Sequence, residues 1–229
     1  ETADIILKIR APEESESKFL KPGQIIIADF QALACPERIK EFAKLKTTCF
    51  ALDLMPLISR AQSMDILSSQ SNLAGYKAVL NAVNLLDKAV PMMMTAAGTI
   101  APAKVLVLGA GVAGLQAIAT AKRLGAQVFA SDVRPGVKEQ VESLGGRFLD
   151  IEAEAGSETA GGYAKETSED YKKRQAAAVA EQLKKTDIAI TTALIPGRKA
   201  PRLITAAMLK DMPAGAVIID MAAGSGGNV

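Results

Sequence analysis

The chain has 229 residues, 49% of them hydrophobic, and its 27 basic and 25 acidic residues leave a formal net charge of +2. A charge so near to balance gives no electrostatic basis for binding nucleic acid or a membrane surface. Cys35 and Cys49 form no CxxC pair and the chain has no histidine, so we interpret both cysteines as reduced thiols and expect no metal site. The apolar stretch 89–119 is interrupted by two prolines and a lysine, which argues against a membrane-spanning helix.

The first part of the chain alternates strand and helix patterns. Apolar runs predict strands at residues 4–9, 24–29 and 48–52, and a helix is predicted at 36–44. From residue 65 to about 86, apolar side chains recur at helical spacing, which predicts a long helix. This order of elements is typical of part of an open parallel sheet.

The second part of the chain continues the alternation. Strands are predicted at residues 105–108, 127–131, 187–191 and 216–220. The predicted helices cover residues 112–124, 136–144, 171–184 and 205–210. Such alternation favours a doubly wound parallel sheet, with ligands bound where strand ends meet glycine-rich loops.

A glycine-rich turn joins the first of these strands to the helix after it. Gly109, Gly111 and Gly114 have the spacing GxGxxG, and Asp132 ends the next strand 18 positions after the last glycine. Such glycines permit a tight turn, the approach of a pyrophosphate and close helix packing, while the acid accepts hydrogen bonds from ribose hydroxyls. We therefore predict an NAD(H) site, because Asp132 would repel the 2′-phosphate of NADP(H); a purely structural βαβ turn is the alternative. With Asp132 in place, we expect Arg134 to lie over the adenine or to face solvent.

Together these patterns predict an α/β fold with two Rossmann-like parallel-sheet domains flanking a cleft. Residues 1–86 are predicted to form a partial first domain that ends in the long linking helix. Residues 87–103 are predicted to form a hinge connection, and residues 104–229 the NAD(H)-binding domain. The first domain looks truncated, and we interpret the chain as a fragment because it begins without a methionine and stops after a strand and a glycine-rich turn.

Other segments suit a dinucleotide but also have structural explanations. Gln62 and Asp65, three positions apart, can hydrogen-bond a carboxamide, yet on the residues alone a helix cap by Ser63 or Asp65 is the favoured interpretation. Small residues at 191–197 and 220–228 leave room for a nicotinamide ribose, or for close packing of a helix on a strand. The residues themselves leave both alternatives open.

The absence of histidine bears on the reaction. Dehydrogenases that act on alcohols, hydroxy acids or amino acids need a group that gives or takes a proton, and histidine is the commonest choice. Hydride passing between two nicotinamide rings needs no such group, because the acceptor is a pyridinium carbon. The composition therefore fits that reaction, although lysine, tyrosine or aspartate could replace histidine.

Six stretches of the chain together resemble the NAD(H)-binding component, domain I of the alpha-subunit region, of proton-translocating NAD(P) transhydrogenase. They are SRAQSMD (59–65), SNLAGYKAV (71–79), PAKVLVLGAGVAGLQAIATAKRLGA (102–126), RPGVKEQVESLGG (134–146), GGYAKE (161–166) and TDIAITTALIPG (186–197). The likeness runs over essentially the whole chain. Alanine dehydrogenases are similar in fold and hinge region, but they depend on a catalytic histidine and lysine.

The resemblance implies that Gln62 and Asp65 orient the nicotinamide, with no acid–base residue. It also implies that residues 152–167, whose composition suits a lid and a solvated loop equally, form a lid over NAD(H) with Tyr163 as its key side chain. The predicted cofactor-binding residues, from the motif and the resemblance, are Arg60, Gln62, Asp65, Ser68, Gly109, Gly111, Val112, Ala113, Gly114, Asp132, Val133, Arg134, Gly162, Tyr163, Ala164, Thr192, Ala193 and Leu194.

The resemblance also implies a function and partners. NADH on this component would pass hydride directly to NADP⁺ on an NADP(H)-binding component, and a membrane proton-channel component would couple the reaction to proton translocation. It implies a homodimer at the inner face of the cytoplasmic membrane, or on the matrix side in mitochondria, with no membrane insertion of its own. The alternatives are a stand-alone, alanine-type amino-acid dehydrogenase and a non-catalytic NAD-binding module.

One position departs from the family's pattern. The family places an arginine after the proline that opens the nicotinamide loop, where this chain has Pro56 and Leu57. Leucine cannot supply the charge-assisted hydrogen bonds of an arginine. The departure therefore bears on hydride transfer, even where NAD(H) binds.

Overall fold

The structure, a computed structural model, describes residues 3–56, 58–149, 151, 168–195 and 197–229. It contains two compact units, Glu1–Ser69 and Gln70–Val229. Each unit has its own parallel sheet, so the predicted α/β class is confirmed. Among the described residues, no helix combines the length and the apolar character that a bilayer crossing requires.

The first unit is built on three parallel strands in the order β1-β2-β3. Its elements are β1 (Ile5–Arg10), α1 (Glu14–Ser17), β2 (Ile25–Asp29), α2 (Pro36–Lys44) and β3 (Thr48–Ala51). Ile26 and Ala28 of β2 are fully buried with Phe30, whose ring meets Phe42 of α2 edge-to-face at 5.3 Å between centroids. Successive side chains of β1 point to opposite faces of the sheet. Leu7 is exposed, on the face opposite to that of the buried Ile26.

A long helix, α3 (Ile66–Leu85), crosses the boundary between the two units. Short 3-10 turns at Leu52–Leu54 and Ser59–Met64 precede it. Ala78 and Ala82 of α3 are buried in the core of the second unit. Small side chains at these positions let the helix lie close to that core.

The second unit contains a five-stranded sheet in which all paired strands are parallel, preceded by a small antiparallel hairpin. The strands are β4 (Met93–Thr95) and β5 (Gly98–Ile100) of the hairpin, then β6 (Lys104–Leu108), β7 (Gln127–Ser131), β8 (Arg147–Phe148), β9 (Ile188–Thr191) and β10 (Val217–Asp220). The helices are α4 (Val112–Arg123), α5 (Lys138–Ser143), α6 (Glu169–Leu183) and α7 (Ala206–Lys210).

The central strands β6 and β9 are buried on both faces, which explains their uninterrupted apolar sequences. Val105 of β6 packs in one core with Ile118 of α4, and Leu106 packs in the other with Val179 of α6. The strand order is β10-β9-β6-β7-β8. After β6 the chain adds β7 and β8 on one side of it, and then β9 and β10 on the other side. Open α/β sheets bind ligands at this switch point, outside the carboxyl ends of the strands.

The predicted strands and long helices are confirmed to within one or two residues at their ends. The structure also contains α1, β8 and the hairpin β4–β5, which were not predicted; the hairpin lies within residues 87–103, whose role as a hinge stays a prediction. Elements of two to four residues are too short to show a periodic pattern. The helix expected at 136–144 begins instead as a 3-10 turn, Pro135–Val137, which α5 follows.

Candidate nucleotide-binding site

The carboxyl ends of β6 and β9 meet at the switch point. Leu108 and Thr191, the last residues of the two strands, are register partners, so Gly109 and Thr192 leave the sheet side by side. The Thr192 N–H donates to the Leu108 carbonyl at 2.8 Å, and the Thr192 hydroxyl donates to the Gly109 carbonyl at 2.9 Å. The hydroxyl of Thr192, a predicted nucleotide contact, therefore fixes the start of the glycine loop.

The three glycines of the loop meet different steric requirements. Gly109 has a φ of +98°, a left-handed conformation that favours glycine. A Cβ on Gly114 would lie 1.8 Å from the carbonyl oxygen of Gly109, so α4 packs too closely on the loop for any side chain. Among the described residues, the nearest atom to a Cβ on Gly111 is a guanidinium nitrogen of Arg134, 3.9 Å away. The backbone at Gly111 is therefore open to an approaching phosphate.

The first turn of α4 provides donors for an anion. Val112, Ala113 and Gly114 follow the capping residue Gly111, and N–H groups in this turn have no acceptor within the helix. The positive end of the helix dipole lies at the same place. An open cavity of ≈ 390 Å³ is lined by Gly111, Val112 and Arg134, among others. These donors and this space suit a pyrophosphate that carries a nucleoside.

A fourth glycine, absent from the predicted site, supports this turn. A Cβ on Gly75 of α3 would lie 2.1 Å from the carbonyl oxygen of Ala113. Therefore α3 packs directly on the first turn of α4. The only signal in the sequence is a glycine within a helical pattern, which often has a packing reason.

Asp132 follows β7, and its carboxylate is directed at the glycine loop. Its Oδ2 accepts the Ala110 N–H at 2.7 Å. Arg134 donates to Oδ1 from its backbone N–H and Nε, and to Oδ2 from Nη2, each at 2.9 Å. Two donors on each oxygen fill the four lone-pair sites of a carboxylate. A ribose hydroxyl would therefore have to displace one of these donors to bind Asp132.

The side chain of Arg134 pairs with Asp132, which bears on one of its two expected placements. Its side chain is 16% exposed and pairs with Asp132 through two parallel hydrogen bonds. The planar guanidinium matches a carboxylate in this bidentate geometry. The expectation that Arg134 faces solvent is therefore wrong, and its contact with adenine stays a prediction.

The loop after β9 is held by a residue that the sequence did not indicate. The side chain of Asn228 bonds both backbone polar groups of Ala193, and the next side chain, Leu194, is 47% exposed. The sequence around Asn228 shows only small residues. Its partner lies 35 positions away, so only the fold reveals the contact.

Four predicted residues belong to the first unit. Arg60 and Gln62 are exposed in the 3-10 turn Ser59–Met64. Asp65 directly precedes α3, and its Oδ1 accepts the Ser68 N–H at 2.9 Å. This is a helix cap, so the structural alternative for Asp65 is confirmed. The nicotinamide contacts of all four residues stay predictions.

The cap makes stability depend on pH. The hydroxyl and the backbone N–H of Ser68 both donate to Asp65 and hold the pKa of that carboxyl below its ordinary value. An unfolded chain lacks these bonds, so their stabilisation is fully present above the unfolded pKa, about 3.9. It is lost as the pH falls through the lower, folded pKa.

We expect Asp65→Ala to lower the free energy of unfolding by about 1 kcal/mol at neutral pH. The deficit should shrink in acid, as the parent chain loses the carboxylate that caps α3. Asp65→Asn, which keeps a capping side chain, is the matched control and should cost less. Urea unfolding of the three proteins over a pH series measures this, and a deficit that persists unchanged in strong acid would contradict it.

The second unit brings together the glycine loop, Val133 between Asp132 and Arg134, and the loop after β9. The predicted lid residues lie outside the described residues, as does Leu57. These lid residues are Gly162, Tyr163 and Ala164.

Known proteins resemble this chain along its whole length. An NAD(P) transhydrogenase alpha-subunit protein of Rhodospirillum rubrum is 56% identical over 233 residues, which cover 99% of this chain and 61% of that protein. A solved transhydrogenase from Sinorhizobium meliloti matches with a TM-score of 0.88 at 53% identity, over 99% of this chain and 61% of its own. A solved L-alanine dehydrogenase matches with a TM-score of 0.77 at 25% identity, over 100% of this chain and 58% of its own. The chain therefore spans less than two thirds of the length of these relatives.

Two family descriptions match adjoining parts of the chain. Residues 1–74 match alanine dehydrogenase/PNT, N-terminal domain, and residues 78–229 match alanine dehydrogenase/PNT, C-terminal domain. The glycine loop, Asp132 and the loop after β9 all lie within the second match. The resemblance inferred from the sequence is confirmed, and the chain belongs to the alanine dehydrogenase/PNT family.

Proposed function

We propose that the second unit binds NAD(H) and that the chain is the NAD(H)-binding part of a transhydrogenase. It would position NADH for direct hydride transfer to NADP⁺ on a partner component. The observation that carries the proposal is the fit of the glycine loop to a dinucleotide. Gly114 brings α4 against the loop, Gly111 leaves the backbone open, and the Asp132 carboxylate accepts the N–H of Ala110 in the same loop. The similarity to NAD(P) transhydrogenase subunits supports the reaction.

The residues of this chain would bind and orient the nucleotide. The first-turn N–H groups of α4 would receive the pyrophosphate, Asp132 the ribose hydroxyls, and the loop 192–194 would flank the nicotinamide ribose. Gln62 and Asp65 would orient the ring, and the predicted lid with Tyr163 would exclude water. NAD(H), when bound, supplies the hydride. No proton moves on this chain, so its part in catalysis is to hold the reactants in place.

The proposed reaction requires partners. One is an NADP(H)-binding component, and another is a membrane component that couples the reaction to proton translocation. The chain would lie at the inner face of the membrane through these partners alone. We also propose a homodimer, because the hairpin β4–β5 and the residue before it expose apolar side chains suited to association with a second copy. These side chains are Met92, Met93, Met94 and Ile100.

Stopped-flow measurement of hydride transfer tests the proposal. The chain is mixed with NADH and an NADP⁺ analogue whose reduced form has its own absorbance, with and without an NADP-binding transhydrogenase component. We expect transfer only when both proteins are present. NADH binding without transfer would leave a non-catalytic NAD-binding module, and a failure to bind NADH would overturn the whole proposal.

An alanine-type amino-acid dehydrogenase is the second candidate, because a solved L-alanine dehydrogenase shares the fold over the whole chain. Such an enzyme acts without a partner and transfers a proton at the substrate. Oxidation of NADH by pyruvate and ammonia, with this chain alone, would favour it. We expect no such activity from a chain without histidine.

Leu57 supplies a prediction of increased activity. An arginine at this position would restore the charged donor of the family's pattern, so we expect Leu57→Arg to raise the hydride-transfer rate roughly tenfold, the effect of one charge-assisted hydrogen bond. Leu57→Gln, polar but uncharged, is the control and should gain much less. The stopped-flow assay measures both, and equal rates in all three proteins would show that the missing charge does not limit transfer.

A further inference from the structure

Asn228 is fully buried, and its side-chain oxygen and amide nitrogen are both hydrogen-bonded. Its Oδ1 accepts the Ala193 N–H at 3.1 Å, while its Nδ2 donates to the carbonyls of Ala193 at 2.9 Å and Pro201 at 2.7 Å. A primary amide has one acceptor and two donor hydrogens in a single plane. One side chain therefore holds both backbone polar groups of Ala193.

Asn228 is itself fixed by the end of β10. Its N–H donates to Oδ2 of Asp220 at 2.8 Å, and its carbonyl accepts the N–H groups of Leu203 and Ile204 at 2.8 and 2.9 Å. The other carboxylate oxygen of Asp220 accepts the Thr191 hydroxyl at 2.9 Å. Asn228 therefore links the end of β10 to the loop that follows β9 through hydrogen bonds.

That loop is also tied to the glycine loop. Thr192, directly before Ala193, donates its hydroxyl to the Gly109 carbonyl. Asp132 lies on the β7 side of the switch point, whereas Ala193 lies on the β9 side. A dinucleotide bound across such a switch point places its two nucleosides on opposite sides. With adenosine at Asp132, the nicotinamide half falls on the Ala193 side.

We propose that Asn228 is a positioning residue for the nicotinamide half of the dinucleotide, acting through the backbone of Ala193. The proposal rests on the NAD(H) site proposed above. Removing the amide frees Ala193 and Leu194 but leaves Asp132 and the first turn of α4 in place. Affinity for the nicotinamide half falls, and affinity for the adenosine half does not.

Paired titrations of the whole chain with NADH and with 5′-AMP, which reports the adenosine half alone, test this inference. We expect Asn228→Ala to weaken NADH binding about tenfold, the effect of two ordinary hydrogen bonds, and to change 5′-AMP binding less than about twofold. Asn228→Asp, which keeps an acceptor but loses both donors, should act in the same direction. The ratio of the two affinities does not depend on the folded fraction, because both ligands bind the same folded protein.

Thr205→Ala is the matched structural control. Thr205 caps α7 by accepting the Met208 N–H. It is next in the chain to Ile204, which donates its N–H to the backbone carbonyl of Asn228, so the substitution lies close to the same network without removing the amide. This variant should leave the affinity ratio unchanged. If Asn228→Ala fails to fold, Asp220→Asn disturbs the same network from its other end and should shift the ratio in the same direction.

The outcomes distinguish a failure of the role proposed for Asn228 from a failure of the proposed NAD(H) site. Equal losses of NADH and 5′-AMP affinity in the Asn228 variants would show a structural role only, and no loss of either would show that Ala193 does not guide the nicotinamide half. Both results overturn the inference and leave the NAD(H) site intact. A parent chain that binds neither ligand overturns the proposed function itself.

Discussion

Asp132→Ala is expected to weaken NADH binding about 10- to 100-fold, the effect of losing hydrogen bonds to a charged group. The same substitution should create affinity for NADPH. In the parent chain the carboxylate would repel a 2′-phosphate, and it also pairs with Arg134, whose guanidinium lies next to the open backbone at Gly111. Without the carboxylate, the guanidinium can bind a 2′-phosphate instead.

Fluorescence titrations with NADH and NADPH measure this change of preference. Asp132→Ala combined with Arg134→Ala is the decisive control, because it should lose the gain in NADPH affinity and keep the loss in NADH affinity. If Asp132→Ala binds NADH as tightly as the parent chain, the assignment of the adenosine site is wrong. If the double variant binds NADPH as well as the single variant, Arg134 is not the source of the gain.

Gly114→Ala is expected to have the largest structural effect of any single methyl group in the loop. The added Cβ would lie 1.8 Å from the Gly109 carbonyl oxygen. Both groups in this clash are attached to the backbone, so neither can rotate away as a flexible side chain would. The first turn of α4 must move away from the loop. We expect a loss of about 1–3 kcal/mol in the free energy of unfolding, typical of overpacking, together with loss of NADH binding.

Gly111→Ala in the same loop separates packing from ligand approach. Gly111 has a φ of −77°, and its nearest described neighbour, a guanidinium nitrogen of Arg134, is 3.9 Å from the added Cβ, so stability should change little. NADH binding should still fall, because the methyl group occupies the approach of the pyrophosphate. Urea unfolding and NADH titration of both variants test the pair. Parent-like binding by Gly111→Ala would contradict the placement of the pyrophosphate.

The regular elements of the fold were predictable because their signals are local. The bounds of α2 and β7 agree with the predicted ranges 36–44 and 127–131, since a proline starts the helix and a short apolar run forms the strand. The hairpin β4–β5 was missed, because its exposed strands have no core to impose alternation.

Some features of the site were predictable for the same reason. The glycine spacing and Asp132 lie on one strand–helix–strand unit, whose geometry brings the acid to the loop, and the Ala110 hydrogen bond to Asp132 agrees with that placement. The direction of Arg134 was not predictable, because a guanidinium at this position can face solvent or pair with a carboxylate, and only the fold shows that it pairs with Asp132. Gly75 was missed because its partner, Ala113, belongs to another helix.

The order of residues along the chain was enough to establish an α/β protein with a glycine loop and an acid spaced for a dinucleotide, because periodicity and steric freedom at glycine are properties of neighbouring residues. Tertiary packing was needed to establish that Arg134 pairs with Asp132, that α3 packs on the turn at Ala113, and that Asn228 holds Ala193. Most of these contacts join residues from separate elements. The order of the strands brings these elements together, and hydrogen-bonding groups removed from water must then find partners in the fold.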